Sequence, residues 1–216
     1  MLRIREIKLK YDIDSAANLK LSILKKIKLP KNYNLDYKIV KKSIDARKKP
    51  DVYYVYEVLC ELDKNLEEKL LGANNKDIVV GEDVKYKFRP QGIIPLEKPI
   101  IVVGSGPAGL FAGLNLVRNG YPVIIIDRGC EITKRVTKVE KFWQTNELDT
   151  ECNIQFGEGG AGTFSDGKLN TLVNDKEGRY QYVMETFASF GANKEITYVN
   201  KPHIGTDVLR EVIINM

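Results

Sequence analysis

The stretch "PIIVVGSGPAGLFAGLNLVRNGYPVIIIDRG", Pro99 to Gly129, decides how this sequence is read. It opens on "IIVVG", an apolar run of the kind that forms a fully buried parallel strand. Gly104, Gly106 and Gly109 follow in the spacing G-x-G-x-x-G. In that spacing the first glycine allows a tight turn and the second admits a pyrophosphate to the backbone. The third lets the helix pack closely on the strand. A helix is predicted from about Pro107 to Asn119, with Gly120 as its stop. Its free amides and positive dipole end would face the phosphates. "YPVIIID" gives a second buried strand ending in Asp127, 23 positions after Gly104, where a carboxylate can accept from ribose hydroxyls. A lone glycine fingerprint is weak, but strand, turn, helix, stop, strand and acid in register specify a dinucleotide site. NAD and FAD both carry adenosine diphosphate, so spacing leaves both open. Arg128 beside Asp127 keeps NADP in view, although an acid there repels a 2′-phosphate.

Downstream, five of the eleven residues from Gly157 to Gly167 in "QFGEGGAGTFSDGKLNT" are glycine. Thr163, Ser165 and Asp166 are interleaved with them. Such a segment can bring consecutive N–H donors to a phosphorylated or planar ligand, and its plain alternative is a surface loop. Between the two motifs, "EITKRVTKVEKFWQTNEL" predicts a helix with Ile132, Val136, Val139, Phe142 and Trp143 on a core-facing stripe. His203, the one histidine, precedes a helix with Thr206 or Asp207 as its cap. A turn role suits it better than proton transfer. Cys130 and Cys152 stand 22 apart, without the close spacing of a redox pair.

Upstream, the character changes. Residues 1–98 hold 22 Lys/Arg against 15 Asp/Glu, whereas residues 99–216 hold 12 against 14. Three prolines and a glycine fall within Arg89–Pro99, so 91–99 reads as a linker between domains at 1–90 and 100–216. "LRIREIKLK" alternates as a half-buried strand through Leu2 and Ile4. Asp12 or Asp14 is the expected cap of a helix with Leu19, Ile23, Leu24 and Ile27 inward. Strands "YNLDYKIVKKSID" and "DVYYVYEVLCEL" follow, joined by "ARKKP". A helix at "NLEEKLLG" with Gly72 as its C-cap and a last strand "DIVVGEDVKYKF" complete the set. The order β-α-β-β-α-β predicts an α+β, ferredoxin-like sandwich. Lys41, Lys42, Arg47, Lys48 and Lys49 beside Tyr53, Tyr54 and Tyr56 raise an RNA reading, which the missing RNP-like signature argues against.

A chain with 43% hydrophobic residues can bury one good core or two small ones. The N-terminus has no secretory apolar region and no apolar run could span a bilayer. Three cysteines without CxxC spacing suit a reduced, cytoplasmic protein without a metal site.

"VVGSGPAGLFAGLNLVRNGYPVIIIDRG", "QFGEGGAGTFSDGKLNT" and "KPHIGTDVLREVI" together resemble the N-terminal part of bacterial FAD-dependent dehydrogenases of uncertain substrate. These are the NAD/FAD-utilising dehydrogenases of the two-dinucleotide flavoprotein superfamily. "KKSIDARKKPDVYYVYEV" is similar to that family's N-terminal extension. "FGEGGAGTFSDGKL" and "SIDARKK" are the particular parts; the glycine fingerprint is widely shared. The resemblance implies an α/β protein whose second domain is a partial Rossmann-like FAD-binding domain. It implies that Gly104, Gly106, Pro107, Ala108 and Gly109 cradle the FAD pyrophosphate, with Asp127 on the ribose and Arg128 beside it. Gly159, Gly160, Gly162, Thr163, Ser165 and Asp166 would line the central part of the cofactor or the flavin ring. Hydride or electron transfer through the flavin, with NAD(P)H as a candidate donor, would be the chemistry; no catalytic acid or base transfers with the motifs. Family members are longer, so this chain is expected to be the N-terminal segment of the flavoenzyme, with apolar strands awaiting the remainder or self-association. The alternatives are an NAD-linked dehydrogenase and a non-catalytic module with a basic N-terminal domain. The small-molecule substrate is not legible, and neither membrane nor nucleic acid is an expected partner.

Overall fold

The computed structural model describes residues 1–89, 92–171, 173 and 175–216, so the predicted boundary positions Pro90 and Gln91 lie outside the described residues. The chain is mixed α/β and divides into two compact units: Met1–Lys85 with Thr197–Pro202, and Tyr86–Ile196 with His203–Met216. Among the described residues there are six α-helices, a four-stranded antiparallel sheet and a two-stranded parallel one. None of the helices is long and apolar enough to cross a membrane.

The first unit is built on β1 (Leu2–Lys10), whose sequence alternates, slips, and alternates again. Leu2 and Ile4 are buried, then Ile7 and Leu9. The extra polar residue between them is absorbed by a bulge between Ile4 and Ile7, where Glu6 takes φ 53°. Without that bulge a strict two-residue period would turn Ile7 and Leu9 to solvent. Next come α1 (Ala16–Lys26), β2 (Asp36–Lys48), β3 (Asp51–Glu61), α2 (Lys64–Gly72) and β4 (Ile78–Val80). The sheet order is β2-β3-β1-β4 with every neighbour antiparallel. Leu19, Ile23, Leu24 and Ile27 lay the apolar stripe of α1 on that sheet, against Leu2, Ile4, Ile7, Tyr56, Val58 and Cys60. Each such side chain contributes roughly 1.5–3 kcal/mol.

Several local expectations are corrected here. Ser15, not Asp12 or Asp14, caps α1, its side chain accepting from Asn18 N at 3.2 Å. Asp14 turns inward instead, accepting from Lys42 Nζ at 2.9 Å and Tyr56 Oη at 2.6 Å. Gly72 is the last helical residue of α2 and Ala73 its cap. The last strand covers three residues rather than twelve. Thr197–Pro202 joins this unit because Lys42 N donates to Tyr198 O and Asn200 N to Lys42 O, both at 2.8 Å, along the edge strand β2.

The second unit holds β5 (Ile100–Val103), α3 (Pro107–Arg118) and β6 (Val123–Ile126), with β5 and β6 parallel and in register from Ile100↔Val123 to Val103↔Ile126. α4 (Ile132–Thr145), α5 (Arg179–Ser189) and α6 (Thr206–Asn215) complete it. Helix α3 lies close on the sheet because Gly113 has no side chain: a Cβ there would stand 2.6 Å from Ile125 Cδ1. The strands are not fully buried as their apolar runs suggested, with Ile101 62% and Val103 81% exposed. Two strands with a helix on one face leave the other face open. The unit's core gathers Ile132, Met184, Leu209, Val212 and Ile213 from its α-helices, with Ile196 and Ile204 from the chain between α5 and α6. Trp143, expected inward, is 53% exposed, while Arg135 takes a core position on α4 between Ile132 and Val139. Gly205, rather than Thr206 or Asp207, caps α6.

Candidate functional site

A cavity of about 420 Å³ opens where β5 ends and α3 begins. Val103, Gly104 and Gly106 form one wall, Ile126, Asp127 and Arg128 another, and Gln155, Phe156, Gly157 and Gly160 a third. Both glycine segments therefore face one cavity.

The first wall is a turn that only glycine makes. Gly104 sits at φ 98°, with its amide donating to Ile126 O at 2.7 Å. At Gly109 a Cβ would collide with the Gly104 carbonyl oxygen. Beyond the flanking residues, nothing among the described residues lies within 4 Å of a Cβ built on Gly104 or Gly106, so a side chain at Gly106 would occupy cavity space. Gly106 caps α3 without a side-chain bond and Pro107 has no N–H. The Ala108 and Gly109 amides thus begin the helix without an intrahelical acceptor.

Asp127 fixes the second wall. Its Oδ2 accepts from Ser105 N at 2.6 Å and Ser105 Oγ at 2.8 Å, and its Oδ1 accepts from Gly129 N at 2.8 Å. Burial pushes its pKa up, but the amides of Ser105 and Gly129, the Ser105 hydroxyl and the charge of Arg135 together hold it below the usual carboxylate value. Of the four acceptor directions of a carboxylate, these bonds leave one on Oδ1 for an incoming hydroxyl. Arg128 is held in a fork by Glu151 at 2.9 and 3.2 Å and stacks 4.2 Å above the Phe156 ring.

The third wall hangs on Arg135, which is fully buried. Its Nε donates to Asn153 O at 2.9 Å and one Nη to Ile154 O at 2.8 Å. The other Nη reaches Gly157 O at 3.2 Å, Glu158 O at 2.6 Å, Gly160 O at 2.9 Å and Thr163 Oγ1 at 3.2 Å. Five carbonyls of one loop thus converge on one guanidinium. The loop is also stitched to the other walls, since Gly159 N donates to Ser105 O at 2.9 Å and Glu158 N to Cys130 O at 3.0 Å. Glu158 Oε2 accepts from Ile132 N at 2.7 Å, at the start of α4.

Of the predicted site residues, Gly104, Gly106, Asp127, Arg128 and Gly160 line the cavity. Pro107 packs beneath Gly160, where a Cβ would stand 2.8 Å from Pro107 Cδ. Gly159 packs on Ile213 and Thr163. Thr163 is buried and bonded to Arg135 and to Gly160 O. Ser165 donates to Gly162 O at 2.9 Å, and Asp166 pairs with Lys168 at 2.6 Å, so neither is on a cavity wall. His203 forms an isolated bridge with Lys168. Sequence reasoning missed Ser105, Gln155, Phe156 and Arg135. Arg135 was detectable as the single charge on the apolar face of α4, upstream of a segment rich in bare carbonyls.

In the first unit, "SIDARKK" forms an ionic strip: Asp45 accepts from Arg47 Nε at 2.8 Å and Lys8 Nζ at 3.1 Å. Tyr54 and Tyr56 are in ring contact, and Lys42 lies 4.1 Å above the Tyr54 ring. Burial pulls the Lys42 pKa down, but its bonds to Asp14 and Tyr56 raise it overall. These aromatics are engaged with one another and with Lys42 rather than presented as a stacking platform. Among the described residues no group of His, Cys, Asp and Glu is placed to hold a metal.

Known proteins resemble the chain in part. Residues 1–61 match the family described as "Domain of unknown function (DUF8436)". Over its full length the chain is 41% identical to an uncharacterized protein of Clostridium beijerinckii, of which it spans 40%. It is 32% identical over 54 residues to a protein of Archaeoglobus profundus named as like one component of heterodisulfide reductase, covering 25% of this chain and 8% of that one. It is 29% identical over 59 residues to a component of the ferredoxin:CoB-CoM heterodisulfide reductase of Methanosarcina acetivorans, covering 27% and 7%. The local likeness is thus to proteins named for redox chemistry.

Proposed function

We propose that this chain carries the dinucleotide-binding part of an FAD-dependent oxidoreductase whose full length exceeds it. The observation that carries the proposal is the convergence of the Gly104–Gly109 turn, Asp127 and the Gly157–Gly160 turn on one cavity. At about 420 Å³ it falls within the usual ligand-site range of roughly 300–1,000 Å³ and suits the adenosine diphosphate half of a dinucleotide. The residues fit that group. Gly104 and Gly106 leave open space where a side chain would stand, the start of α3 is uncapped by any side chain, and Asp127 keeps one acceptor direction. Bound flavin would supply hydride or electron transfer, with NAD(P)H a candidate donor. The chain's own residues bind and orient: the first amides of α3 hold pyrophosphate, Asp127 holds a ribose hydroxyl, and Arg135 keeps the third wall in place. The local likeness to heterodisulfide reductase components supports the redox class.

The same proposal covers the folds. The order β-α-β-β-α-β with sheet order β2-β3-β1-β4 supports a ferredoxin-like first domain (1–90). A parallel β5-α3-β6 unit with a glycine turn supports a partial Rossmann-like second domain (100–216), after a linker at 91–99. Titrating the purified chain with FAD and NAD, followed by flavin and intrinsic fluorescence, tests the proposal. Saturable FAD binding, weakened about tenfold or more by Asp127→Ala, is expected. Tighter binding of NAD would move the assignment to an NAD-linked dehydrogenase, and no binding of either would overturn it.

A further inference from the structure

Cysteines 22 apart in sequence meet in space. The Cys130 amide donates to Cys152 Sγ at 3.3 Å. They meet because Cys130 closes the turn after β6, while Asp149 folds the Cys152 segment by accepting from Glu151 N at 2.9 Å and Cys152 N at 3.0 Å. Lys138 of α4 bonds Asp149 at 2.7 Å and so stands beside the same segment. A sulfur 3.3 Å from the amide nitrogen of residue 130 lies within about 5 Å of that residue's Cα. Such an approach suits a bridge, in which each sulfur stands three bonds from the partner residue's Cα.

We propose that Cys130 and Cys152 form a thiol–disulfide exchange site beside the turn that follows β6, one that takes low-molecular-weight disulfides. Cys130 is half-buried and therefore reachable, whereas Cys152 is 2% exposed. Cys130 attacks, as thiolate, one sulfur of a disulfide RSSR; that S–S bond breaks, RS⁻ leaves, and a mixed disulfide forms on Cys130. Cys152 then attacks the Cys130 sulfur and displaces the second RS⁻. The protons of both cysteines pass to the departing thiolates. Two thiols and one RSSR become one protein disulfide and two RSH, and the protein pair gives up two electrons. Lys138 places a cation where sulfur carries negative charge during exchange. Cys152 is buried out of reach of an incoming disulfide, so it acts second, after Cys130 has captured the ligand. Cys60 is fully buried in the other unit, with burial pushing its pKa up to about 12, and serves as an internal control. The site stands independently of which dinucleotide the cavity takes.

Oxidised glutathione is the probe. The reduced chain is incubated with it, quenched in acid, alkylated under denaturing conditions and mapped by mass spectrometry. Free thiols are expected to fall from three to one, with a peptide crosslink joining positions 130 and 152 and with Cys60 alkylated. Cys152→Ser should retain a stable glutathione adduct on Cys130, and Cys130→Ser should take none. The unmutated chain carries the test even if a variant misfolds. Three persisting thiols, a stable adduct on Cys130 of the unmutated chain, or a crosslink to Cys60 would overturn the proposal.

Discussion

Replacing Arg135 by methionine keeps a long side chain and removes every donor. Its guanidinium serves the carbonyls of Asn153, Ile154, Gly157, Glu158 and Gly160. Gly157 O and Gly160 O keep second donors, from Gly160 N and Thr163. Among the described residues the carbonyls of Asn153, Ile154 and Glu158 have none. Three orphaned carbonyls at about 1–3 kcal/mol each give about 3–9 kcal/mol, and partial hydration brings the expected loss to about 3–5 kcal/mol, the range for breaking a buried charged group's contacts. Against a typical total of about 5–15 kcal/mol, the loop should detach before the unit unfolds as a whole. Limited proteolysis should cut Arg135→Met within residues 150–165, where the unmutated chain resists. FAD affinity should fall at least about tenfold, corresponding to about 1.4 kcal/mol. Arg135→Lys, with one nitrogen in place of a fork, should lie between the two. Equal protease resistance and equal FAD affinity for Arg135→Met would refute the reasoning.

Gly109→Ala drives a methyl into the Gly104 carbonyl, so the turn must open; FAD titration should show a loss of about 100-fold, or about 3 kcal/mol. The carboxyl of Asp127 has a lowered folded pKa, so its contribution to stability is complete above the ordinary value of about 3.9 and lost as pH falls through the lower folded value. Thermal unfolding from pH 5 to 2 should show that loss in the unmutated chain and a shallower one in Asp127→Asn. Lys42→Met strips the partner from Asp14, whose side chain is 20% exposed. Urea unfolding of the first unit should lose about 1–3 kcal/mol, and a double-mutant cycle with Asp14→Asn should reveal coupling.

The sequence displayed what depends on local periodicity and turn chemistry. The βαβ unit from Ile100 to Ile126 and the stripe of α1 could be read from residue spacing, whereas the meeting of the two glycine segments followed only from the family resemblance. What it concealed depends on neighbours distant in the chain. Asp14 looked like a cap because acids cap helices, but Lys42 and Tyr56, 28 and 42 positions on, offer it more than the amides of α1. Ile101 and Val103 looked buried because apolar runs usually are, yet burial needs a covering layer that these strands do not have among the described residues. Thr163, Ser165 and Asp166 looked like ligand donors, whereas bonds to Arg135, Gly162 and Lys168 engage them. Arg135 stands out in sequence only as a charge on the apolar face of α4, and its partners, the carbonyls from Asn153 to Gly160, lie 18 to 25 positions on.

The guanidinium that organises the third wall recognises peptide oxygens and no side chain between 153 and 160. Gln155, which faces the cavity, is thereby freed from anchoring its own loop, whereas the Phe156 ring still ties that loop to Arg128. Position 155 can therefore change while the fastening stays the same, which makes it the point on this wall where the fit to a bound guest is open to variation.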